Sequence, residues 1–137
     1  PRTAKTVYRA LHRGEYRNDA DCLPVTHQRS DQPRDWWGGA PVGSRIVDTV
    51  YSGSERHQSI EWPDRGMSLR IESSPSLDFT AVLVPADTDW FCVEPVSHAT
   101  NAVNSRAEDT GLCSLEPGES LRGTMTLTVV PQPGRGI

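Results

Sequence analysis

Glu94 is the residue of this chain best suited by type and setting to acid–base work. It closes the apolar run Trp90-Phe91-Cys92-Val93 and is followed by Pro95. A strand ending there puts its carboxylate on the same parity as Trp90 and Cys92, a setting poor in water that suits a general base. The competing reading is a solvated strand-end acid, the commoner fate of glutamate. Asp48 comes second, inside Ile46-Val47-Asp48-Thr49-Val50 and on the parity of Ile46 and Val50. An acid on an apolar parity is either exposed or held by hydrogen bonds for a purpose.

The histidines His12, His27, His57 and His98 show no metal-ligand spacing, and each by itself reads as a surface imidazole. There is no Gly-rich phosphate loop and no Ser nucleophile elbow. No metal or organic cofactor is expected. The tryptophans Trp36, Trp37, Trp62 and Trp90 are many for a small polar chain. Flat rings pack against the C–H faces of sugars, and they also fill cores. Trp36-Trp37, in a polar stretch, is the pair that core packing explains least well, so both are candidate sugar contacts.

These residues have to be positioned by strands. The 137 residues include eleven Gly and eleven Pro, which favours short strands and turns over long helices. Met67, Leu69 and Ile71 alternate with Ser68, Arg70 and Glu72, after a turn at Pro63-Asp64-Arg65-Gly66 and a hairpin partner at Ser59 to Trp62. Phe79 to Val84 is nearly all apolar and reads as a central strand that Pro85 stops. Arg45 to Tyr51 is another strand, and Trp90 to Glu94 one that Pro95 terminates. Leu121, Met125, Leu127 and Val129 share a parity between Ser120 and Val130, which predicts a strand with one face buried and one wet. Val7 to Leu11 and Tyr16 to Arg17 are weaker strands. Leu23 to Gly43 reads as a long connection, and only Ala99 to Ala107 could turn helically. The pattern predicts an all-β antiparallel sandwich forming a single domain over 1–137.

Several classes are disfavoured. The net charge is −4 and the basic residues are scattered, without the positive field that nucleic acid requires. No apolar run reaches membrane-spanning length. Cys22, Cys92 and Cys113 are odd in number and widely spaced, as expected of reduced thiols in the cytoplasm. With 35% hydrophobic residues and a mean hydropathy of −0.54, the core is thin, and a further segment or a second copy is expected to help cover it.

The string Phe91-Cys92-Val93-Glu94-Pro95-Val96-Ser97-His98, followed by Asn101-Ala102-Val103-Asn104, resembles a signature of the bacterial aldose 1-epimerases. Gly111-Leu112 and Leu115-Glu116-Pro117-Gly118-Glu119-Ser120-Leu121 are similar to that family's closing segment. Asp48-Thr49-Val50-Tyr51-Ser52-Gly53 is similar to its Asp-x-x-Phe-x-Gly stretch, and Asn18-Asp19-Ala20-Asp21-Cys22-Leu23-Pro24 to a segment before it. The resemblance runs from about Val7 to Val130, in family order. It implies the galactose mutarotase-like β-supersandwich, of which this would be a C-terminal part. It also implies an aldohexose such as glucose or galactose as substrate, Glu94 as the base that takes the anomeric hydroxyl proton, and Asp48 as a binder of sugar hydroxyls, with His98, Trp36 and Trp37 as further candidate contacts.

The family's acid is a histidine in a His-x-Tyr-Phe-like segment that this sequence lacks. With Pro1 rather than Met at its start, the chain reads as truncated. Val50-Tyr51 and Ser54 depart from the usual Cys-Phe and Trp. Three readings follow: an aldose 1-epimerase, a non-catalytic carbohydrate-binding module derived from it, or a relative acting on a phosphorylated sugar. The last is disfavoured because no Arg or Lys cluster lies beside the motif.

Overall fold

Among the described residues, alternating side chains build nine strands in two antiparallel sheets. The computed structural model describes residues 1–34, 37–39, 41–105 and 109–132. The strands are β1 (Val7–Arg9), β2 (His12–Asn18), β3 (Pro24–Arg34), β4 (Val47–Ser52), β5 (His57–Trp62), β6 (Met67–Ser73), β7 (Phe79–Val84), β8 (Cys92–Val96) and β9 (Met125–Pro131). One sheet has the order β1-β5-β6-β9 and the other β3-β2-β4-β7-β8. The all-β antiparallel sandwich is as the sequence predicts. Among the described residues no helix is long and apolar enough to cross a membrane.

The β5–β6 hairpin turns through Pro63–Arg65 and Gly66, whose φ of 61° is the left-handed conformation that glycine adopts at low cost. Its register runs from Trp62 opposite Met67 to His57 opposite Glu72. β7 lies between β4 and β8, as its continuous apolar run predicts. The core between the sheets gathers Tyr8, Trp37, Val42, Tyr51, Ile60, Trp62, Ile71, Val82 and Val84.

Four sequence expectations are corrected. Pro95 does not end its strand: it pairs with Thr80, and Val96 pairs with Phe79 beyond it. β8 is an edge strand, where a missing N–H can face away from the ladder. The expected connection from Leu23 to Gly43 contains the whole of β3, an edge strand that needs no strong apolar pattern. Helical turning is not confined to Ala99 to Ala107, where a 3-10 turn spans Ala102–Asn104: Val42–Ser44 and Pro63–Arg65 form 3-10 turns as well. The last strand is shorter than Ser120 to Val130, and its apolar face is not buried: Met125, Leu127 and Val129 are 50%, 55% and 60% exposed.

Trp37 is corrected as well. It is fully buried, 5.2 Å from the Tyr8 ring and edge-on to Tyr51 at 6.4 Å. The Arg45 guanidinium lies 4.2 Å from its ring centroid, at cation–π distance. The polar stretch around it returns to the body of the fold, where Val42 is also fully buried and its N–H donates to the Thr6 carbonyl at 2.8 Å. Core packing therefore explains Trp37 directly. Trp36 lies outside the described residues.

Candidate functional site

The five-stranded sheet has two unlike faces. Tyr51, Val82 and Val84 point inward to the other sheet. Tyr16, Val50 and Phe79 point outward and form a second apolar cluster with Ala99, flanked by Ala81 and Val96. Directly paired residues of antiparallel strands share a face. Asp48 pairs with Leu83, and Glu94 pairs with Ala81. Both acids therefore stand on the outer face, one on each flank of β7 and two residues out of step along it. Two strand spacings and two residue rises place their Cα atoms roughly 12 Å apart.

Both carboxylate residues are exposed. Glu94 thus lacks the water-poor setting expected from its apolar strand, because β8 is an edge and nothing described covers it on that face. Asp48 sits on an inner strand, and its backbone carbonyl accepts a 2.8 Å hydrogen bond from Asn18 Nδ2. Cys92, two residues before Glu94, contacts it: burial first, then the Glu94 charge and a hydrogen bond to Glu94, hold the thiol pKa above its usual value. His98 lies past the end of β8, exposed, with Nδ1 2.7 Å from Ser97 Oγ.

The same face carries groups that sequence reading missed. His27 pairs with Tyr16 across β3 and β2 and stacks on it at 4.5 Å. Its Nε2 lies 2.8 Å from Ser52 Oγ. The Tyr16 hydroxyl donates to the Asp109 carbonyl at 2.9 Å, and burial followed by the Asp109 charge raises its pKa. Gly14 underlies this cluster, since a Cβ there would meet His27 Nε2 and Ser52 Oγ at 2.7 Å. The only signal for it in the sequence was the weak strand at Tyr16. A cleft of about 660 Å³ opens beside it, lined by Arg13, His27, Ser52, Glu55, Phe79 and Asp109 among others; Asp48 and Glu94 are not among its lining residues. The cleft carries exposed carboxylates of its own, Glu55, Asp78 and Asp109, apart from the Asp48 and Glu94 pair that flanks β7.

His12 is not a surface imidazole. It is fully buried and stacks on Tyr51 toward the inter-sheet core, and the β2–β3 ladder shifts register between His12 and Gly14. Among the described residues no group of three or more His, Cys, Asp or Glu could hold a metal ion.

No protein-family model matches the chain. It is 34% identical over 97 residues to the uncharacterized protein YphB of Escherichia coli strain K12, a match covering 66% of this chain and 33% of that protein. Its fold is similar to a crystal structure from Escherichia coli K12 provisionally named an aldose 1-epimerase, with TM-score 0.80 and 27% identity over 96% of this chain and 47% of that one. The chain has the fold of the aldose 1-epimerase, or galactose mutarotase-like, structures. A galactose mutarotase-like protein from Clostridium acetobutylicum shares the fold, with TM-score 0.74 at 18% identity over 94% of this chain and 42% of that one. The chain thus spans between a third and about half of the length of the proteins it matches. The segments that carry the sequence resemblance fall on β4 for Asp48 and on β8 for Glu94, the two strands that flank β7.

Proposed function

We propose that this chain contributes the base and a hydroxyl-binding carboxylate to an aldose 1-epimerase site, acting on an aldohexose in the cytoplasm. The observation that supports this reading is the placement of Asp48 and Glu94 on one exposed sheet face, on either side of β7. A pyranose lying over Ala81 and Leu83 has one carboxylate on each flank. Glu94 takes the proton from the anomeric hydroxyl; as the C1–O1 bond becomes a carbonyl, the bond from C1 to the ring oxygen breaks and that oxygen takes a proton. Rotation about C1–C2 and reversal of these steps closes the ring on the other face. Asp48 accepts hydrogen bonds from sugar hydroxyls and so fixes which oxygen meets Glu94.

Reprotonation of the ring oxygen needs an acid on the same sugar. His27 stands on this face but four strands from Glu94, roughly 19 Å at ordinary strand spacing. His12 is buried on the other side. The acid is then either His98, four residues past Glu94, or a group outside the described residues. The distance to His27 also favours the alternative, a carbohydrate-binding module that holds sugar without turning it over.

Polarimetry of freshly dissolved α-glucose and α-galactose tests the proposal. Acceleration by the chain and its loss in Glu94→Gln support the enzyme. Sugar binding by calorimetry without acceleration supports the module, and neither binding nor acceleration removes both readings for this chain.

A further inference from the structure

Ser52 Oγ lies 2.8 Å from His27 Nε2, although the strands that carry them, β4 and β3, are not neighbours. β2 runs between them, so the two side chains bridge two strand spacings, roughly 9–10 Å. They meet over Gly14, the β2 residue paired with Ser52 on one side and Arg29 on the other. A Cβ at Gly14 would stand 2.7 Å from both His27 Nε2 and Ser52 Oγ. Any other residue there would part the pair. Glycine weakens a strand interior, and it often marks a place where another group must come close.

The imidazole is also held in orientation. Its ring stacks on Tyr16 at 4.5 Å, and the Tyr16 hydroxyl is fixed in turn by its bond to the Asp109 carbonyl. With Nε2 unprotonated, His27 accepts the Ser52 hydroxyl proton. An oriented base against a hydroxyl is the arrangement that activates serine as a nucleophile. Ser52 is the last residue of β4, and Gly53 after it turns the chain at a φ of 61°. The Arg13 stem packs against that turn, with its Cδ 3.2 Å from where a Gly53 Cβ would stand. Arg13 lines the cleft, and its guanidinium has no hydrogen-bond or ion-pair partner among the described residues. A cation there meets the negative charge that develops on a carbonyl oxygen under attack.

We propose that Ser52 and His27 form a second catalytic site, an esterase that removes short acyl groups from a polar alcohol. Ser52 Oγ attacks the ester carbonyl as His27 Nε2 takes its proton, and Arg13 faces the oxyanion. Collapse of the adduct breaks the bond to the alcohol oxygen, which leaves with the proton from His27. Water, deprotonated by His27, then attacks the acyl-Ser52 ester. The carboxylic acid departs and Ser52 regains its proton. Phe79 is the one large apolar side chain among the described cleft residues, so a long acyl chain finds no apolar trough. Arg13, Glu55 and Arg56 suit an alcohol with further hydroxyls.

This site is separate from the proposed sugar seat. Ser52 stands four residues along β4 from Asp48, roughly 13 Å. Ala99, packed on Tyr16, Val50 and Phe79, fills the face between them.

A fluorophosphonate probe, which reacts with activated serines, tests the proposal on the 137-residue chain, together with hydrolysis of p-nitrophenyl acetate after the three thiols are blocked. Peptide mass spectrometry is expected to place the label on Ser52. Ser52→Ala is expected to lose both label and hydrolysis. His27→Gln keeps a hydrogen-bonding group beside Ser52 but cannot take its proton, and is expected to slow both reactions by about 10²–10⁴-fold. Ser114→Ala, at an exposed serine outside the cleft, leaves both unchanged. Circular dichroism checks folding, and where a variant fails that check the position of the label on the unaltered chain still decides. No label at Ser52 in the folded chain, hydrolysis no faster than in buffer, or labelling that persists in His27→Gln overturns the proposal and leaves the pair a structural hydrogen bond.

Discussion

The His12 ring lies face to face with the Tyr51 ring, 4.7 Å between centroids and 15° between planes. Its Nδ1 is 2.8 Å from Ser54 Oγ, the first link in a buried polar chain between the sheets. Ser54 Oγ lies 2.8 Å from Thr80 Oγ1, Gln58 Nε2 donates to Thr80 at 2.9 Å, and the Tyr8 hydroxyl donates to Gln58 Oε1. Burial keeps this chain uncharged at neutral pH. It raises the Tyr8 phenol well above its usual value, pushes Tyr51 up to about 12, and lowers His12 to about 3.

His12 makes the fold acid-sensitive. Its pKa is about 3 folded against 6.5 unfolded, so the unfolded chain binds more protons between those values. Stability is complete above about pH 6.5 and falls as pH drops toward 3, by about 2 kcal/mol at pH 5. Urea midpoints from pH 7.5 to 5 should show this slope, and His12→Gln should flatten it. An unchanged slope in His12→Gln would place the sensitivity elsewhere.

Asp48 and Glu94 should separate in kinetics. As the base, Glu94 changed to Gln should cost about 10²–10⁴-fold in kcat. Asp48→Asn should act mainly through KM, since it holds hydroxyls in ground and transition states alike. Both side chains are exposed, so each change should leave stability within about 0.5 kcal/mol. Coupled assays for anomer interconversion and parallel denaturation curves check both expectations. Equal effects of the two variants on kcat alone would contradict the assigned roles.

Cys92 reports on Glu94 without any substrate. Burial and the neighbouring carboxylate both disfavour its thiolate. Iodoacetamide should modify Cys92 more slowly than the exposed Cys22 and Cys113. Glu94→Gln should accelerate modification of Cys92 by removing the charge, leaving the rates at the other two unchanged. Peptide mass spectrometry at intervals measures all three rates in one sample. A Cys92 rate insensitive to Glu94→Gln would show that the two groups do not interact in solution.

Trp37→Ala should destabilise the fold by about 3–5 kcal/mol, the usual cost of emptying a buried aromatic site. Trp90→Ala, at a residue 44% exposed, should cost about 1 kcal/mol or less. Chemical denaturation of the two variants distinguishes a core tryptophan from a surface one. Similar losses would contradict the burial described for Trp37.

The sequence by itself determined the strands whose own pattern is strong: the β5–β6 hairpin with its Pro-Asp-Arg-Gly turn, and the unbroken apolar β7. It also determined that Asp48 and Glu94 fall in strands, because period-two alternation and turn chemistry are local properties. Only the tertiary structure decided what those residues face. Glu94 is exposed because β8 is an edge, and Pro95 is tolerated for the same reason. Trp37 is core because a polar segment returns to Tyr8, and His12 is buried on Tyr51 rather than set beside Tyr16 on the outer face. β9 alternates like a half-buried strand, yet its apolar side stands open. Alternation specifies which side chains share a face; whether that face meets protein or water depends on strand order and on what packs across from it, and neither is written in a local pattern.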